Sequence, residues 1–488
     1  MSTAAHPTSR RPMLRLHRLS AVIVSCLPYA RSALALALVL GGSTDASAAT
    51  ITVTDPGDAG SASSCTLRQA LAAANADAAG ASACSAGSGT DTLVFAPALA
   101  NSTVSVASGE LAITDSVVIA GSGQTIDGGG VSRVLSAAFT SPSGTPSVTL
   151  SNLNLANGYS ATSAGALYAA GVDLTLSHVT ISNSSSRGLA GGLAVVGGSV
   201  RLDHSAIANN QASSANAVMA GGMYAGGNVA VTLQASSITS NTAHMDGAAP
   251  SAGGVLLFGD GTAHVTVIDS TIVSNAISGV GQIMGGGMTL RGTAAAFYNS
   301  TIANNSGNGS ATIAGGVLLQ SYGASATQFT NCTIVGNSEV GAGIGAVAGG
   351  VLTSAGGATL QLDNTILSRN IGATPDLYLD ASIAASARAS LLGTALLPSF
   401  SAGGNLFFDN PGVLALGANG GPTLTMPLSA TSPALNAGTL AYAMYNGAPL
   451  HADQRGGGYG RTLNGAVDIG AFQHQSDRIF VDGLEILP

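Results

Sequence analysis

Acidic side chains are the residues best suited to chemistry in the repetitive middle of this chain, and they are few. Residues 164–370 contain these acids: Asp173, Asp203, Asp246, Asp260, Asp269, Glu339 and Asp363. A polysaccharide lyase needs carboxylates that hold calcium and a base that takes a proton, and a hydrolase needs two carboxylates within about 5–10 Å. Asp203, Asp269 and Asp363 precede the same repeat position in different copies. We therefore expect turn-forming roles for them and assign no catalytic residue.

Histidine offers one regular pair. His178 and His204 each stand three residues before an isoleucine of the repeat, at Ile181 and Ile207. Equivalent positions in neighbouring copies stack, and two stacked imidazoles are conceivable metal ligands. We favour a solvent-facing ladder instead, and predict neither a metal site nor a cofactor site.

Aromatic residues suggest a binding face rather than a reaction. Tyr224 and Phe258 follow glycine pairs by two and four residues, and Tyr168 lies near an earlier, degenerate copy. Rings aligned along one face can stack on sugars, although filling of a core or groove is the simpler explanation. These three residues are the candidates for contact with carbohydrate.

The composition indicates a repetitive exported protein with a polar, weakly charged surface. Only 8% of the 488 residues are charged, 67 are glycine and none is lysine, whereas about 25% charged residues is ordinary. The formal net charge is −8, and it becomes more negative without the arginine-rich first segment. Such a surface disfavours nucleic acid, which requires clustered cations.

Residues 1–49 have the properties of a cleaved signal peptide. Several arginines precede the apolar run Ala33–Leu40, and Ala46–Ala48 supplies small residues for cleavage. The run is too short to span a bilayer, so no transmembrane segment is predicted for the mature chain. In an oxidising compartment, Cys65 and Cys84 are expected to form a disulfide. Cys332 is interpreted as a small packed residue.

Two signatures repeat with a period of about thirty residues. The first is a glycine pair, found at 191–192, 221–222, 253–254, 286–287, 315–316 and 349–350. We attribute it to a positive-φ corner and to close backbone approach, since no Gly-Lys-Ser follows that would indicate a phosphate loop. The second is an isoleucine followed three residues later by asparagine. The aligned asparagines, expected to bond as a ladder, are Asn210, Asn241, Asn275, Asn305, Asn337 and Asn370.

These repeats predict an all-β fold, a right-handed parallel β-helix (a single-stranded solenoid) with a short N-terminal helical cap. Each copy contains a short alternating stretch that cannot bury a face by itself, so it must stack on its neighbours. The inward columns are predicted from the spacing of Val200, Leu202 and Ile207 and their equivalents. Asparagine also tolerates the left-handed backbone that tight corners require.

The chain resembles bacterial secreted β-helix proteins at both ends. The segment from Cys65 to Ala70 is similar to the C-S-L-R-E-A motif, departing at Thr66 and Gln69. Motifs beginning at Gly420, Ser432, Asp453 and Asp468 resemble the choice-of-anchor Q domain, although Gln473 stands where relatives often have Glu. The resemblance implies a fold and export, and it transfers no catalytic residue.

The resulting organisation has five parts. These are a signal peptide (1–49), an N-terminal cap with the C-S-L-R-E-A-like motif (50–108), β-helix repeats (109–425), a C-terminal cap (426–475) and a tail (476–488). In the C-terminal cap, Asp453, Arg455 and Asp468 are expected to form a buried ion pair.

Function is predicted from the regular repeat and the absence of a charged cluster. We expect an exported, surface-associated, non-catalytic monomer that takes part in adhesion or contacts extracellular matrix or glycans. The alternative is a polysaccharide lyase or glycoside hydrolase that acts on an extracellular polysaccharide.

Overall fold

The computed structural model describes residues 48–475, with gaps at 140–144, 216–217, 248, 281–282, 311, 321–324, 342–344 and 355–357. The predicted signal peptide, apart from its last two residues, and the predicted tail lie outside the described residues. The described part forms a parallel β-solenoid in which 27 strands join into one sheet that winds through three faces. Two further sheets, of seven and five strands, lie at the side.

We call the three faces the leucine, isoleucine and glycine faces. The first two are named after their inward residues, and the third after the glycine pair that precedes its strands. The leucine face comprises Thr50–Val53, Asp91–Phe95, Val117–Asp127, Ser147–Ala156, Leu167–Ser182, Leu193–Asp203, Ala230–Gln234, Val255–Ile268, Met288–Tyr298, Ala326–Thr330, Thr359–Asp363 and Ala384–Arg388. The isoleucine face adds Thr103–Ser105, Ala206–Ala208, Ser237–Thr239, Thr271–Val273, Thr301–Ala303, Thr333–Val335, Ile366–Leu367, Leu391–Leu392 and Leu406–Phe407. The glycine face adds Leu111–Ile113, Leu135–Ala138, Met223–Gly226, Val317–Gln320, Val351–Ser354 and Leu377–Tyr378. Longer strands bend through two or all three faces.

The remaining elements are short. The seven-stranded sheet contains Tyr159–Ser160, Ser185–Ser186, Gln211–Ser214, Thr242–Met245, Ala276–Gly279, Ser306–Asn308 and Ser338–Glu339. The five-stranded sheet contains Met219–Ala220, Ser251–Ala252, Ile283–Gly285, Thr312–Ala314 and Val347–Ala348. Met444–Tyr445 and Ala448–Pro449 pair antiparallel. The helices are Leu67–Ala76 (α) and Pro97–Leu99, Thr394–Leu396 and Leu440–Tyr442 (3-10).

The stacking register predicted from the repeats is confirmed. Ile207 pairs with Ile181 on one side and with Ile238 on the other, while Leu202 pairs with Leu176 and Leu233. The inward side chains of these columns are buried in one continuous apolar core. Burial of such columns is the main stabilising contribution, because each coil exposes its inward face unless a neighbour covers it.

The glycine pairs lie where the polypeptide returns from the side sheets to the solenoid. A Cβ at Gly191 would be 2.3 Å from the carbonyl oxygen of Gly221, the glycine of the next coil. The close approach that we predicted is therefore confirmed. The predicted positive φ is wrong, since no glycine of the six pairs has a positive φ. These glycines are required by space and not by a left-handed backbone.

The repeated asparagines form a continuous buried row of hydrogen bonds. Asn241 Nδ2 donates to Asn275 Oδ1 at 3.0 Å, and the backbone N–H of Asn241 donates to the same oxygen at 3.0 Å. Asn241 Nδ2 also donates to the carbonyl of Ile207, at 2.9 Å. The left-handed backbone falls on the residue before each ladder position, such as Asn209 with φ 57°. The ladder amide thus turns inward while its neighbour makes the corner.

The first coil is covered by the α-helix. Thr66 and Gln69 form a capping box at the beginning of the helix, and buried residues such as Leu67 and Leu71 join the solenoid core. A disulfide joins Cys65, directly before this cap, to Cys84. The helix therefore shields the edge of the first coil from pairing with another chain.

The far end of the core is closed by residues 393–405, and the polypeptide then returns along the side of the solenoid. Leu396 and Phe400 are buried in the main core. The returning segment (residues 410–475) packs Val413, Met426, Leu428, Ala434 and Ile469 against an outward apolar column of the isoleucine face. That column consists of Val273, Ala303, Val335, Ile366 and Leu391. The segment expected to be a cap thus lies along several coils instead of across the end.

Replacing Asn275 by alanine is expected to lower the free energy of unfolding by about 2–4 kcal/mol. The backbone N–H of Asn241 and the carbonyl of Ile238 would each lose a buried hydrogen bond. Guanidinium denaturation followed by circular dichroism measures the change. Ser274→Asn, at the neighbouring exposed corner, is the matched control and should leave the midpoint nearly unchanged. Equal midpoints for N275A and S274N would contradict a stabilising role for the ladder.

Candidate functional site

The three aromatic candidates lie on the outer side of the glycine face. Tyr168 and Tyr224 are two coils apart in one column, with Ala194 between them. Both tyrosines are half-buried and pack around Ala194, while Phe258 is 36% exposed. Burial raises the pKa of Tyr224, and the nearby Tyr168 adds to the shift. We call Tyr168, Tyr224 and Phe258 the aromatic strip.

A glycine creates part of this surface. A Cβ at Gly226 would lie 2.3 Å from the hydroxyl oxygen of Tyr224, so the phenol ring occupies the space above that strand. Gly226 pairs with Phe258 on the next coil. The tyrosine and the phenylalanine are thereby brought to neighbouring positions on one face.

Guanidinium groups stand over the first and last rings of the strip. The Arg133 guanidinium carbon is 5.4 Å from the centre of the Tyr168 ring, and that of Arg291 is 4.7 Å from the centre of Phe258. Arg133 is held by an ion pair with Glu110 at 2.7 Å and by a hydrogen bond to Ser163 at 2.6 Å. Residue-by-residue inspection of the sequence missed both arginines. Alignment of the repeats would have indicated one of the two contacts, because Arg291 pairs with Phe258 in the strand register.

A polar corner lies between the leucine and isoleucine faces in the same half of the solenoid. The rings of His178 and His204 stack with centroids 5.0 Å apart and planes within 5°, as their spacing predicted. Asp203 Oδ1 is 3.4 Å from His204 Nδ1 and 3.5 Å from Arg201 Nη2. An open cavity of about 450 Å³, lined by residues that include Asn152, Asn154 and His178, adjoins this corner.

The three acids considered for catalysis are dispersed. Asp203 lies at the polar corner, whereas Asp363 forms a bidentate ion pair with Arg388 at 2.7 Å. Asp269 occupies the same corner position as His204, but on a coil that the returning segment covers. Within the described ranges, no three His, Cys, Asp or Glu side chains are grouped as ligands for one metal ion.

Asp269 has an unusual environment. Burial raises its pKa to about 7, and the nearby Asp453 contributes, while a hydrogen bond from Asn299 Nδ2 at 3.1 Å and the Arg461 guanidinium oppose the shift. Asn299 also donates to the carbonyl of Ala452 in the returning segment, at 2.9 Å. Asp269 therefore belongs to the contact between the solenoid and that segment.

The returning segment contains a buried ion pair between two of the three expected residues, Asp453 and Arg455, without Asp468. Arg455 Nη2 bonds Asp453 Oδ2 at 2.6 Å, and both side chains are buried. Asp468 instead accepts backbone N–H groups from Asn436 and His474, at 2.7 and 2.6 Å.

Arg461, which sequence inspection did not single out, is fully buried beside this pair. Its Nη2 donates to Gln473 Oε1 at 3.2 Å and to the carbonyl of Asp468 at 3.1 Å. Burial lowers the pKa of Arg461, and the carboxylates of Asp453 and Asp468 oppose that shift. These contacts hold the segment together, and Arg455 also lines an open cavity of about 470 Å³ on its surface.

Cys332 replaces a serine in a second buried row. Its thiol donates to the carbonyl of Thr330 at 3.4 Å, as Ser300 Oγ does to Tyr298 at 2.7 Å. Burial raises the pKa of the thiol to about 12. A group so rarely ionised is unsuited to nucleophilic chemistry.

Comparison with known proteins gives little beyond the architecture. No protein-family model and no curated protein matches the chain. A crystal structure of pectate lyase Pel9A is similar, with a TM-score of 0.48 and 13% identity over 88% of this chain and 96% of that one. The fold is established here by the strand pairing, and at this identity no residue role passes between the two proteins. The resemblances to C-S-L-R-E-A and choice-of-anchor Q proteins stay predictions.

Replacing Asp269 by asparagine is expected to stabilise the protein at pH 8, by an amount on the order of 2–4 kcal/mol. The raised carboxyl pKa means that the folded state loses stability as pH rises from about 4 to about 7, because only the unfolded state ionises freely in that window. Asparagine tolerates the φ of 52° and still accepts a bond from Asn299. Denaturation midpoints at pH 4 and pH 8 should show a difference between variants at the higher pH alone.

The matched control is Asp260→Asn, which changes an exposed loop carboxyl whose pKa is lowered by hydrogen bonds, chiefly from Thr262 and Asn228. Its stability should follow that of the wild type between pH 4 and pH 8. A wild-type pH profile in D269N would contradict the burial of an ionisable Asp269.

Proposed function

We propose that this chain is an exported, non-catalytic β-solenoid that contacts extracellular glycans through the aromatic strip. The observation that carries the proposal is the position of the three rings on one outer face, with arginines over the first and last rings. Tyr168 and Tyr224 share one column, and Phe258 lies in the column two residues further along the strand.

The strip has the chemical character of a sugar-binding surface. An aromatic face packs against the apolar C–H face of a pyranose ring, and Tyr and Arg add hydrogen-bond donors at the edge. Strands in the stack are about 4.8 Å apart, so the aromatic strip together with Arg291 on the next coil spans roughly 19 Å. An extended chain of several sugars matches that length better than a single small molecule does. The guanidinium of Arg291 favours sugars that carry carboxylates.

The environments of the acids support binding over cleavage. Asp363 and Asp453 form ion pairs with Arg388 and Arg455. Asp376 accepts hydrogen bonds from Asn370 at the end of the asparagine ladder. Each carboxylate is thus held in a contact that stabilises the fold.

Polysaccharide cleavage is the second candidate, and the polar corner favours it. Asp203 lies within about 3.5 Å of both Arg201 and His204, beside an open cavity. An arginine, a carboxylate and an imidazole are the groups that proton transfer at a sugar ring would use.

Export is part of the proposal and rests on the leader-like residues 1–49 and on the Cys65–Cys84 disulfide. No helix among the described residues is long and apolar enough to cross a bilayer. Association with the cell surface, and use as a monomer in adhesion, belong to the same proposal.

Replacing Phe258 by alanine is expected to weaken binding of an acidic oligosaccharide by about fivefold to thirtyfold, because a ring face and its cation contact are lost. Binding to a panel of acidic and neutral glycans is measured by calorimetry on the untagged chain. Phe408→Ala, which removes another exposed ring at the far end of the solenoid, is the matched control and should bind as the wild type does.

The same incubations are followed for new reducing ends and for unsaturated products, with and without calcium. Depolymerisation that disappears in Asp203→Asn would replace the binding proposal with the cleavage one. Equal affinities for F258A and F408A, without product, would show that the strip is not the binding surface.

A further inference from the structure

We propose that His178 and His204 form a binding site for a divalent late-transition-metal ion such as Cu²⁺ or Zn²⁺ at the polar corner. The site is separate from the aromatic strip, and the proposal does not depend on glycan binding.

The backbone presents both imidazoles to solvent at the same corner of adjacent coils. His178 and His204 have φ of 55° and 48°, the left-handed conformation that every residue of this corner row adopts. Both side chains are exposed, with a centroid separation of 5.0 Å. Two ligands from adjacent strands are therefore fixed in position by the stacking of the solenoid and not by a loop.

Each imidazole has a partner at the ring nitrogen that a metal would not use. His178 Nδ1 is 3.2 Å from Ser177 Oγ, and His204 Nδ1 is 3.4 Å from Asp203 Oδ1. When Nδ1–H donates to such an oxygen, the lone pair is on Nε2 and the ring becomes a better ligand. The contact of a carboxylate with a histidine is the arrangement commonly found behind metal-bound imidazoles.

Only a small adjustment would let the two rings share an ion. Metal–nitrogen bonds of about 2.0–2.1 Å require the two Nε2 atoms to be within about 4 Å. The lone pairs of the stacked rings are parallel, so each ring has to turn about the Cβ–Cγ bond, a soft torsion, and the partly exposed side chains of Ser177 and Asp203 have to follow the Nδ1 atoms. Both rings are exposed, so water from the solvent is available to complete the coordination of a bound ion.

The electrostatic surroundings favour a cation. The chain has a formal net charge of −8, and Asp203 lies beside His204. Arg201 Nη2, which is 3.5 Å from Asp203 Oδ1, donates to Gln234 on the next coil at 2.5 Å, so its charge is shared between the two contacts. Imidazole ligands select Cu²⁺, Zn²⁺ and Ni²⁺ over Ca²⁺ and Mg²⁺, and Cu²⁺ binds most tightly of these.

The test titrates the untagged full chain with Cu²⁺ and with Zn²⁺ by calorimetry, and records the electron paramagnetic resonance spectrum of the Cu²⁺ complex. We expect one saturable site whose spectrum shows two nitrogen ligands. His178→Asn and His204→Asn should each weaken binding at least about tenfold and reduce the spectrum to one nitrogen. Asparagine suits the left-handed backbone, and Asn152 already occupies the same corner one coil earlier.

His264→Asn is the control, since it removes an exposed histidine from a different position of the leucine face. It should bind as the wild type does, and circular dichroism should show that all three variants are folded. The proposal is overturned if H178N and H204N keep wild-type affinity, if H264N weakens binding equally, or if no saturable site is found.

Discussion

The buried asparagine row is the interaction on which the rest of the structure depends. At each coil from Asn210 to Asn370 the polypeptide leaves the solenoid for the side sheets, so a backbone N–H and a carbonyl would be buried without partners. The amide of the ladder residue satisfies both and also bonds the next amide, as Asn275 does to Asn305 at 3.0 Å. Buried polar groups are costly when unpaired. This requirement keeps the exit points of these coils in register.

The same register explains the glycine pairs and the end of the row. The polypeptide must return beside the ladder, and Gly192 would place a Cβ 3.0 Å from Asn210 Nδ2. Asn370 has no following asparagine to bond, and Asp376 takes that place with Oδ1 at 2.9 Å. Burial raises the pKa of Asp376. The row is thus closed by a residue that sequence comparison of the repeats does not align with the others.

The returning segment divides the solenoid into covered and uncovered coils. It covers the isoleucine face from the strand Thr271–Val273 onward, where outward Val273 is buried, while the equivalent Thr239 is partly exposed. At the polar corner, His178 and His204 precede this boundary, and Asp269 follows it. Equivalent corner positions therefore have different chemistry: two exposed imidazoles in one part and one buried carboxyl in the other.

The sequence by itself determined the solenoid, its register, and the alignment of His178 with His204, because these follow from a period that repeats side chain by side chain. The sequence also indicates where the returning segment packs. The outward positions of the isoleucine face change there from Ser182, Ala208 and Thr239 to Val273 and Val335. Only the tertiary structure decided that residues 410–475 lie along the coils, and that Arg133 and Arg291 stand over the rings of the aromatic strip. Contacts between segments that are distant in sequence do not follow the repeat period, so the period does not predict them. They depend on which surfaces the folded polypeptide brings together.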